Sequence, residues 1–253
     1  MIPDGLRKWL AIGTGVGIEI RGADLHAVIA KVRPSGVDLR SAVTIENFRE
    51  RPAAEWGAEF TAVLRKRGAT HLPAHILLPR DEVIVRQLAL PGVTDQDLQA
   101  AVRFQIDALH PYGEDDVLYT AARVGRTSTV LIGITRRDLL ENYLNLFTGA
   151  GIKVASFTFS AAAIYSALRL VTAPPADGFL ALQPTGDGVE AYGESAARPV
   201  FSASFAAPEQ RARAMAASEL RLPPESEPVA LIDLLPYPRG ASRENEEYHS
   251  ALT

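Results

Sequence analysis

The first third of the chain alternates apolar and polar residues in the way that β-strands require. The three strands predicted from this alternation lie at 8–20, 24–32 and 36–48. Apolar residues then recur at helical spacing across 52–67, and a short apolar run at 75–79 predicts a buried strand. The predicted order of elements in this part is therefore β-β-β-α-β.

Residues 83–134 continue the pattern as β-α-β-β. Thr94 predicts the start of the helix in this stretch, because Asp97 follows three residues later as in a capping box. The same spacing of Thr135 and Asp138 predicts the start of the next helix, which ends at a pair of glycines.

The second half of the chain repeats the first in a shorter form. A helix capped by Ser160 leads into a Pro-rich linker at 172–178, three short strands, a helix beginning near Pro208, and a last apolar run at 228–232. When 83–134 is set aside, the order β-β-β-α-β occurs twice, and the second copy stops early. Such a mixture of strands and helices predicts an α/β protein with two related halves.

Composition excludes several classes of protein. The net charge is −4, so the basic excess of nucleic-acid binders is missing. The chain has no Cys, which removes disulfides and thiolate sites, and its five His lack metal-ligand spacing. The sequence has neither an apolar run long enough to span a membrane nor the apolar core of a signal peptide. We therefore expect a cytoplasmic protein.

The most informative stretch is 79–152. A charged turn and strand at 79–91 precede an amphipathic helix that ends at 101–112, an acidic loop at 113–116 and an apolar strand at 129–134. This run resembles the type IV pilus assembly protein PilM and its actin-like relatives, including the cytoplasmic domain of the type II secretion protein GspL. The resemblance extends over roughly residues 8–206.

The resemblance implies a truncated actin-like fold, of the α/β class, in which two ribonuclease-H-like halves follow in tandem and a small β-α-β-β subdomain is inserted. It also implies a division of the chain. The segments are the first half at 1–82 and 151–172, the PilM/FtsA-type subdomain at 83–150, the truncated second half at 178–229, a peptide motif at 230–239 and a polar tail at 240–253.

In the actin-like family the first β-hairpin grips phosphate through an Asp-Xaa-Gly motif and small hydroxyl residues. The matching positions here carry Glu19 and Arg21, and Gly22 lies one place late. A longer acid and a bulky Arg at a point of close approach should spoil the phosphate cradle. We predict a structural hairpin without a cofactor; a retained Mg-ATP site at Glu19 and Gly22 is the alternative.

The second phosphate hairpin of the family should fall at 182–190. Gly186, Asp187 and Gly188 keep small residues there, but the leading Asp-Xaa-Gly is missing. A plain β-turn is predicted, with a degenerate phosphate loop as the alternative. The adenosine-binding glycine cluster of the family has no counterpart. Together these losses predict that the chain is not an enzyme.

The acidic loop contains Glu114, Asp115 and Asp116. A solvated patch is predicted rather than a metal site, because no His or further acid lies nearby in a ligand pattern. Such a patch would steer basic partner proteins by long-range attraction. The inserted subdomain is accordingly predicted to supply a partner surface.

The motif at 230–239 resembles the cytoplasmic N-terminal segment of PilN, the membrane partner of PilM, which lies extended in a groove of PilM. The matching residues are Ile232, Asp233, Leu234, Leu235 and Pro236. The alternative is that this segment forms the fourth strand of the second half.

These resemblances imply a non-catalytic scaffold at the cytoplasmic face of the inner membrane, in a type IV pilus or type II secretion platform. The chain would be a PilM–PilN fusion or a GspL-like domain. Its partners would be a PilN-like peptide in cis or in trans, other platform proteins and the assembly ATPase. The alternatives are a nucleotide-driven ATPase like PilM or FtsA and a sugar-kinase-like enzyme, which would need phosphate loops or a catalytic Asp.

Overall fold

A computed structural model describes residues 12–33, 36–171, 177–185 and 188–223. The strands in these ranges are β1 (Gly13–Arg21), β2 (Asp24–Arg33), β3 (Gly36–Ile45), β4 (Ala74–Leu77), β5 (Ile84–Ala89), β6 (Val117–Arg123), β7 (Thr129–Arg136), β8 (Val154–Thr158), β9 (Phe179–Thr185), β10 (Gly188–Glu194) and β11 (Phe201–Phe205). The α-helices are α1 (Ala53–Lys66), α2 (Leu98–Arg103), α3 (Arg137–Gly149), α4 (Ser160–Val171) and α5 (Glu209–Leu220). None of these helices is long and apolar enough to cross a membrane.

The first sheet has the strand order β3-β2-β1-β4-β8. β1, β2 and β3 form an antiparallel meander, and β4 joins β1 in parallel and then pairs with β8. The alternation that predicted β1 corresponds to one buried face of this strand, from which Val16, Ile18 and Ile20 point into the core. The predicted order β-β-β-α-β is confirmed in this half.

Two helices cover this sheet through a close crossing. The Trp56 ring of α1 is fully buried and meets Phe48 and Phe147 edge to face, with ring centroids 5.8 and 5.9 Å apart. Gly57 permits the contact, because a Cβ there would lie 2.1 Å from the carbonyl oxygen of Ala150 at the end of α3. A side chain at position 57 would therefore push the two helices apart.

The second sheet has the order β5-β7-β6 and carries α2. Leu98, Val102 and Ile106 pack against the sheet in a hydrophobic cluster of its own. The helix is shorter than its apolar stripe predicted, since α2 ends at Arg103 and the chain continues as a 3-10 turn at Ile106–Ala108. The β-α-β-β order predicted for this stretch matches the elements found.

Both predicted capping positions need correction. Thr94 and Asp97 do bond reciprocally: the Thr94 hydroxyl donates to the Asp97 carboxylate at 2.6 Å, and the Asp97 N–H donates back at 3.3 Å. This bond closes a turn, and the helix begins only at Leu98. The prediction that a helix begins at Thr135 is wrong, because Thr135 belongs to β7 and its hydroxyl donates to the carbonyl of Glu82 at 2.9 Å.

The helix α3 packs into the core of the first half. Its residues Tyr143 and Phe147 belong to the same buried cluster as Trp56. The predicted subdomain at 83–150 therefore contains one helix that is part of the core of the first half. The segment boundaries themselves stay a prediction.

The third sheet has the order β11-β10-β9 and is covered on both faces. Leu180 and Ala191 face α5, where they pack with Ala216 and Leu220. Phe179 faces the other way and joins the core of the first half. A continuous apolar strand such as β9 is typical of a strand buried on both sides.

Candidate functional site: the cleft between the first and third sheets

The predicted phosphate hairpin is present as the turn between β1 and β2. Arg21 at the end of β1 pairs with Glu19 at 2.8 Å, and both side chains are partly exposed. An ion pair of this kind adds little stability in water. Gly22 has a φ of +59°, and a Cβ there would meet nothing within 4 Å. The positive φ of this glycine serves the shape of the turn, since a side chain would strain the backbone there.

A buried carboxylate that the sequence analysis missed lies across from this hairpin. Glu190, on β10, is only 11% exposed in its side chain. The hydroxyl of Ser160 donates a hydrogen bond to Glu190 Oε1. The Nε atom of Arg80 lies 3.7 Å from the same oxygen. This carboxylate thus adds a polar contact between the third sheet and the first half to the apolar core that they share.

The two partners of Glu190 are held by neighbouring elements. Arg80 opens a 3-10 turn, Arg80–Glu82, directly after β4, and its Nη1 donates to the carbonyl of Val83 at 2.8 Å. Its Nε is buried without a hydrogen-bond partner. Ser160 is the first residue of α4, so the positive end of the helix dipole faces the carboxylate.

Burial dominates the electrostatics of this pair. It raises the pKa of Glu190, although the hydrogen bond from Ser160 and the charge of Arg80 oppose the rise. Glu19 raises that pKa further, and Arg21 lowers it. Burial also lowers the pKa of Arg80. Both shifts have the sign expected when the cost of removing two charges from water exceeds their attraction.

The cleft is therefore poorly suited to an external phosphate. Its buried guanidinium already faces a carboxylate, and a second carboxylate, Glu19, adds negative charge nearby. Among the described residues no group of three or more His, Asp or Glu is placed to hold a metal ion.

The second predicted hairpin is only partly described. Gly186 and Asp187 lie outside the described residues. Gly188 starts β10, and a Cβ there would lie 2.1 Å from the carbonyl oxygen of Phe205 on the neighbouring strand. Its lack of a side chain is thus explained by strand packing.

Only some of the predicted partner residues lie in the described part of the chain. Asp115 and Asp116 are exposed on a 3-10 turn, and the Nε of Arg137 donates to the carbonyl of Asp115 at 3.1 Å. Glu114 belongs to the same turn, and its side chain lies outside the description. The residues Ile232, Asp233, Leu234, Leu235 and Pro236 lie outside the described ranges.

Arg80 and Glu190 carried a weak signal in the sequence. Each is a charged residue next to an apolar strand core, Arg80 after the run at 75–79 and Glu190 between Val189 and Ala191. A charge at such a place is more often solvated than buried. Only the contact between sheets identifies them as a pair.

Comparison with known proteins places the fold. No protein-family model and no curated protein match the sequence. A chain of the solved PilM-PilN type IV pilus biogenesis complex matches at 17% identity and a TM-score of 0.61, over 87% of this chain and 67% of that one. The cytoplasmic domain of EpsL, an inner-membrane component of the type II secretion system of Vibrio cholerae, matches at 13% identity and a TM-score of 0.51, over 76% of this chain and 71% of that one.

These likenesses show the fold alone. The resemblance to PilM and GspL drawn from the sequence is confirmed at that level. The chain has a truncated actin-like α/β fold of the kind found in these pilus and secretion proteins.

Proposed function

We propose that this chain is a non-catalytic scaffold of a type IV pilus or type II secretion platform at the cytoplasmic face of the inner membrane. The observation that carries the proposal is the likeness of its fold to a chain of the PilM-PilN complex and to the EpsL cytoplasmic domain. The charge of the cleft supports the non-catalytic part. Arg80 already faces Glu190, and Arg21 already pairs with Glu19, so a carboxylate of the chain lies against each guanidinium that a phosphate group would need.

The proposed partner is an extended peptide with the PilN-like pattern, supplied by this chain at 230–239 or by another protein. Extended peptides bind through main-chain pairing and pockets for alternate side chains. A peptide on the same chain would act at a high effective concentration, so that weak contacts would suffice.

The inserted subdomain is the proposed surface for other platform proteins. Asp115 and Asp116 lie exposed on it and would attract a basic partner. Phe104, at the end of α2, is 91% exposed, and exposed aromatic residues are enriched at protein interfaces. An exposed aromatic residue and an acidic patch on one subdomain would favour a partner with basic and apolar residues.

The non-catalytic part predicts that Mg-ATP does not bind usefully. Calorimetric titration of the full chain with Mg-ATP is expected to give no heat of binding up to millimolar nucleotide. Burial raises the pKa of Glu190 and lowers that of Arg80, which is the sign expected where charges are costly, and a triphosphate would bring further negative charge. A dissociation constant in the low micromolar range, about −8 kcal/mol, would overturn this part of the proposal.

The partner part predicts that the segment 230–239 can be supplied in trans. A chain that ends at Ser226 is expected to unfold at a lower temperature than the full chain, and a synthetic peptide of residues 230–239 is expected to restore part of the loss. Burial of two apolar side chains would contribute roughly 1.5–3 kcal/mol each.

The control is the same peptide with Ile232→Asp and Leu235→Asp, which keeps the length and removes the two apolar side chains expected to be buried. The full chain is expected to respond less to the peptide, since its own segment competes. If truncation leaves the melting temperature unchanged and neither peptide binds, the segment is no partner motif, and the scaffold role would rest on the subdomain alone.

A further inference from the structure

The contact of Glu190 with Arg80 and Ser160 has the chemistry of an occupied oxyanion site. A guanidinium, a hydroxyl donor and the N-terminus of a twelve-residue helix converge on one carboxylate. These three groups are the ones that bind phosphate and carboxylate in proteins generally. The bound oxyanion here belongs to the chain itself.

The donors and the acceptor come from different sheets. Arg80 follows β4, and Ser160 follows β8, which are neighbours in the first sheet, whereas Glu190 belongs to the third sheet. The carboxylate is therefore a bridge between two halves as well as a ligand. Another oxyanion that competes for the same donors would have to displace this carboxylate and so break the bridge.

One donor remains unused, which shows that the carboxylate does not saturate the site. The Nε of Arg80 is buried, lies 3.7 Å from Glu190 Oε1 and makes no hydrogen bond. That distance exceeds the usual length of a hydrogen bond between a guanidinium and a carboxylate. A free oxyanion, unlike a side chain fixed on β10, could approach this N–H more closely.

We propose that Arg80, Ser160 and the first turn of α4 form an oxyanion-binding site whose resident ligand is the Glu190 carboxylate, which excludes external oxyanions. Removing that carboxylate opens the site to a small oxyanion of the phosphate class. By linkage, an oxyanion that displaced Glu190 would loosen the third sheet from the first half. The inference does not depend on the proposed scaffold role.

The test compares inorganic phosphate binding by the full chain and by its Glu190→Ala variant, at constant ionic strength and without added peptide. Phosphate is expected to bind the variant at least about tenfold more tightly than the full chain, because the competing carboxylate is gone. Adding Arg80→Ala to the variant is expected to abolish the gain. The matched control is Glu219→Ala, which removes the same charge from the exposed pair with Arg198.

Equal phosphate affinity in the full chain, Glu190→Ala and Glu219→Ala would overturn the proposal, as would a gain that survives Arg80→Ala.

A double-mutant cycle covers the case in which Glu190→Ala does not fold. In urea unfolding, Glu190→Gln and Arg80→Met are expected to couple at least about tenfold in the unfolding constant, as close buried charge pairs do. Exposed pairs such as Arg198–Glu219 couple by at most about fivefold. Coupling no larger than that of the exposed pair would also overturn the proposal.

The outcomes separate the two proposals. Failure of the phosphate test leaves the peptide and Mg-ATP tests of the scaffold role untouched, since both use the chain with Glu190 in place. Success identifies Glu190 as the group that keeps the cleft closed to anions.

Discussion

Gly133 shows how a single residue fixes the contact between two sheets. It lies in β7 of the second sheet, and a Cβ there would lie 2.2 Å from Cε1 of the Phe159 ring. Phe159 is buried in the core of the first half, directly before α4. The absence of a side chain at 133 therefore lets the ring pack against the backbone of the insert.

Replacing this glycine is expected to destabilise the protein. In Gly133→Ala the methyl group overlaps the Phe159 ring, and we expect a loss of about 1–3 kcal/mol in the free energy of unfolding, measured in urea. The control is Gly15→Ala in β1, where a Cβ meets nothing within 4 Å and a change within about 0.5 kcal/mol is expected. Adding Phe159→Leu to Gly133→Ala should recover part of the loss; equal effects at 133 and 15 would contradict the packing argument.

Glu190 gives a pH dependence with a defined sign. Its pKa is raised in the folded protein, chiefly by burial, so the folded state holds this proton to a higher pH than the unfolded chain does. Below the ordinary glutamate pKa of about 4.3 both states are protonated, and the contribution of the group to stability is fully present. As the pH rises through the folded pKa, that contribution is lost.

Glu190→Gln keeps the size of the side chain and removes its titration. The free energy of unfolding of the unaltered chain, minus that of the variant, is therefore expected to fall as the pH rises from about 4 to about 7. Urea titrations at several pH values measure this difference. A difference that rose with pH would show that the carboxylate is better stabilised when folded than when unfolded, and a constant difference would show that its pKa does not change on folding; either result would contradict the prediction.

At the scale of elements, α3 belongs to the first half, and the insert ends before it. The sheet β5-β7-β6 has its own hydrophobic cluster, whereas α3 packs against Trp56 through Phe147. Antiparallel pairing places Ile84 opposite Ile134, and Val85 opposite Gly133, so the ends of the insert already meet. The insert can therefore be shortened at this pair without removing α3.

Replacement of 86–132 by an Asn-Gly turn is expected to leave a chain that unfolds cooperatively, with Trp56 buried. It loses Leu131 and Val124 from the first core, so its stability should be lower than that of the full chain. Removal of 84–150 also takes away Phe147 and is expected to abolish cooperative unfolding. Trp fluorescence in a Trp9→Phe background follows Trp56 alone, and identical behaviour of the two deletions would contradict the assignment of α3 to the first half.

The sequence predicted the elements that depend on local pattern and missed those that depend on distant contacts. The alternation in β1 and the apolar stripe of α1 are visible in the chain, because burial of one face imposes them. Thr135 misled, because its spacing from Asp138 matches a capping box while its hydroxyl is taken by the carbonyl of Glu82, far away in sequence. The Glu190 site was hidden for the same reason. Its two donors follow the carboxyl ends of β4 and β8, which are neighbours in the sheet but far apart in the sequence.

At the scale of the whole molecule, the three sheets depend on one another unequally. The first and third sheets share a core, to which Phe179 and Tyr192 contribute from the third sheet. The second sheet contributes fewer residues to that core and keeps most of its apolar side chains in its own cluster. The cleft with Glu190 therefore lies between two parts of the molecule that share a hydrophobic core.

The parallel pairing of β4 with β8 has a kinetic consequence. These neighbours in the first sheet are separated by roughly 75 residues of chain, and closing so long a loop costs entropy before the pairing returns any stability. If the insert folds first, its β5–β7 pairing draws both ends together and leaves a loop of roughly a third of that length, which saves about 1 kcal/mol of closure entropy. An insert that forms early would thus hold the two strands of the first sheet close together. The chain with 86–132 replaced by a turn has this shorter loop from the start, so it would complete its first sheet faster than the full chain does.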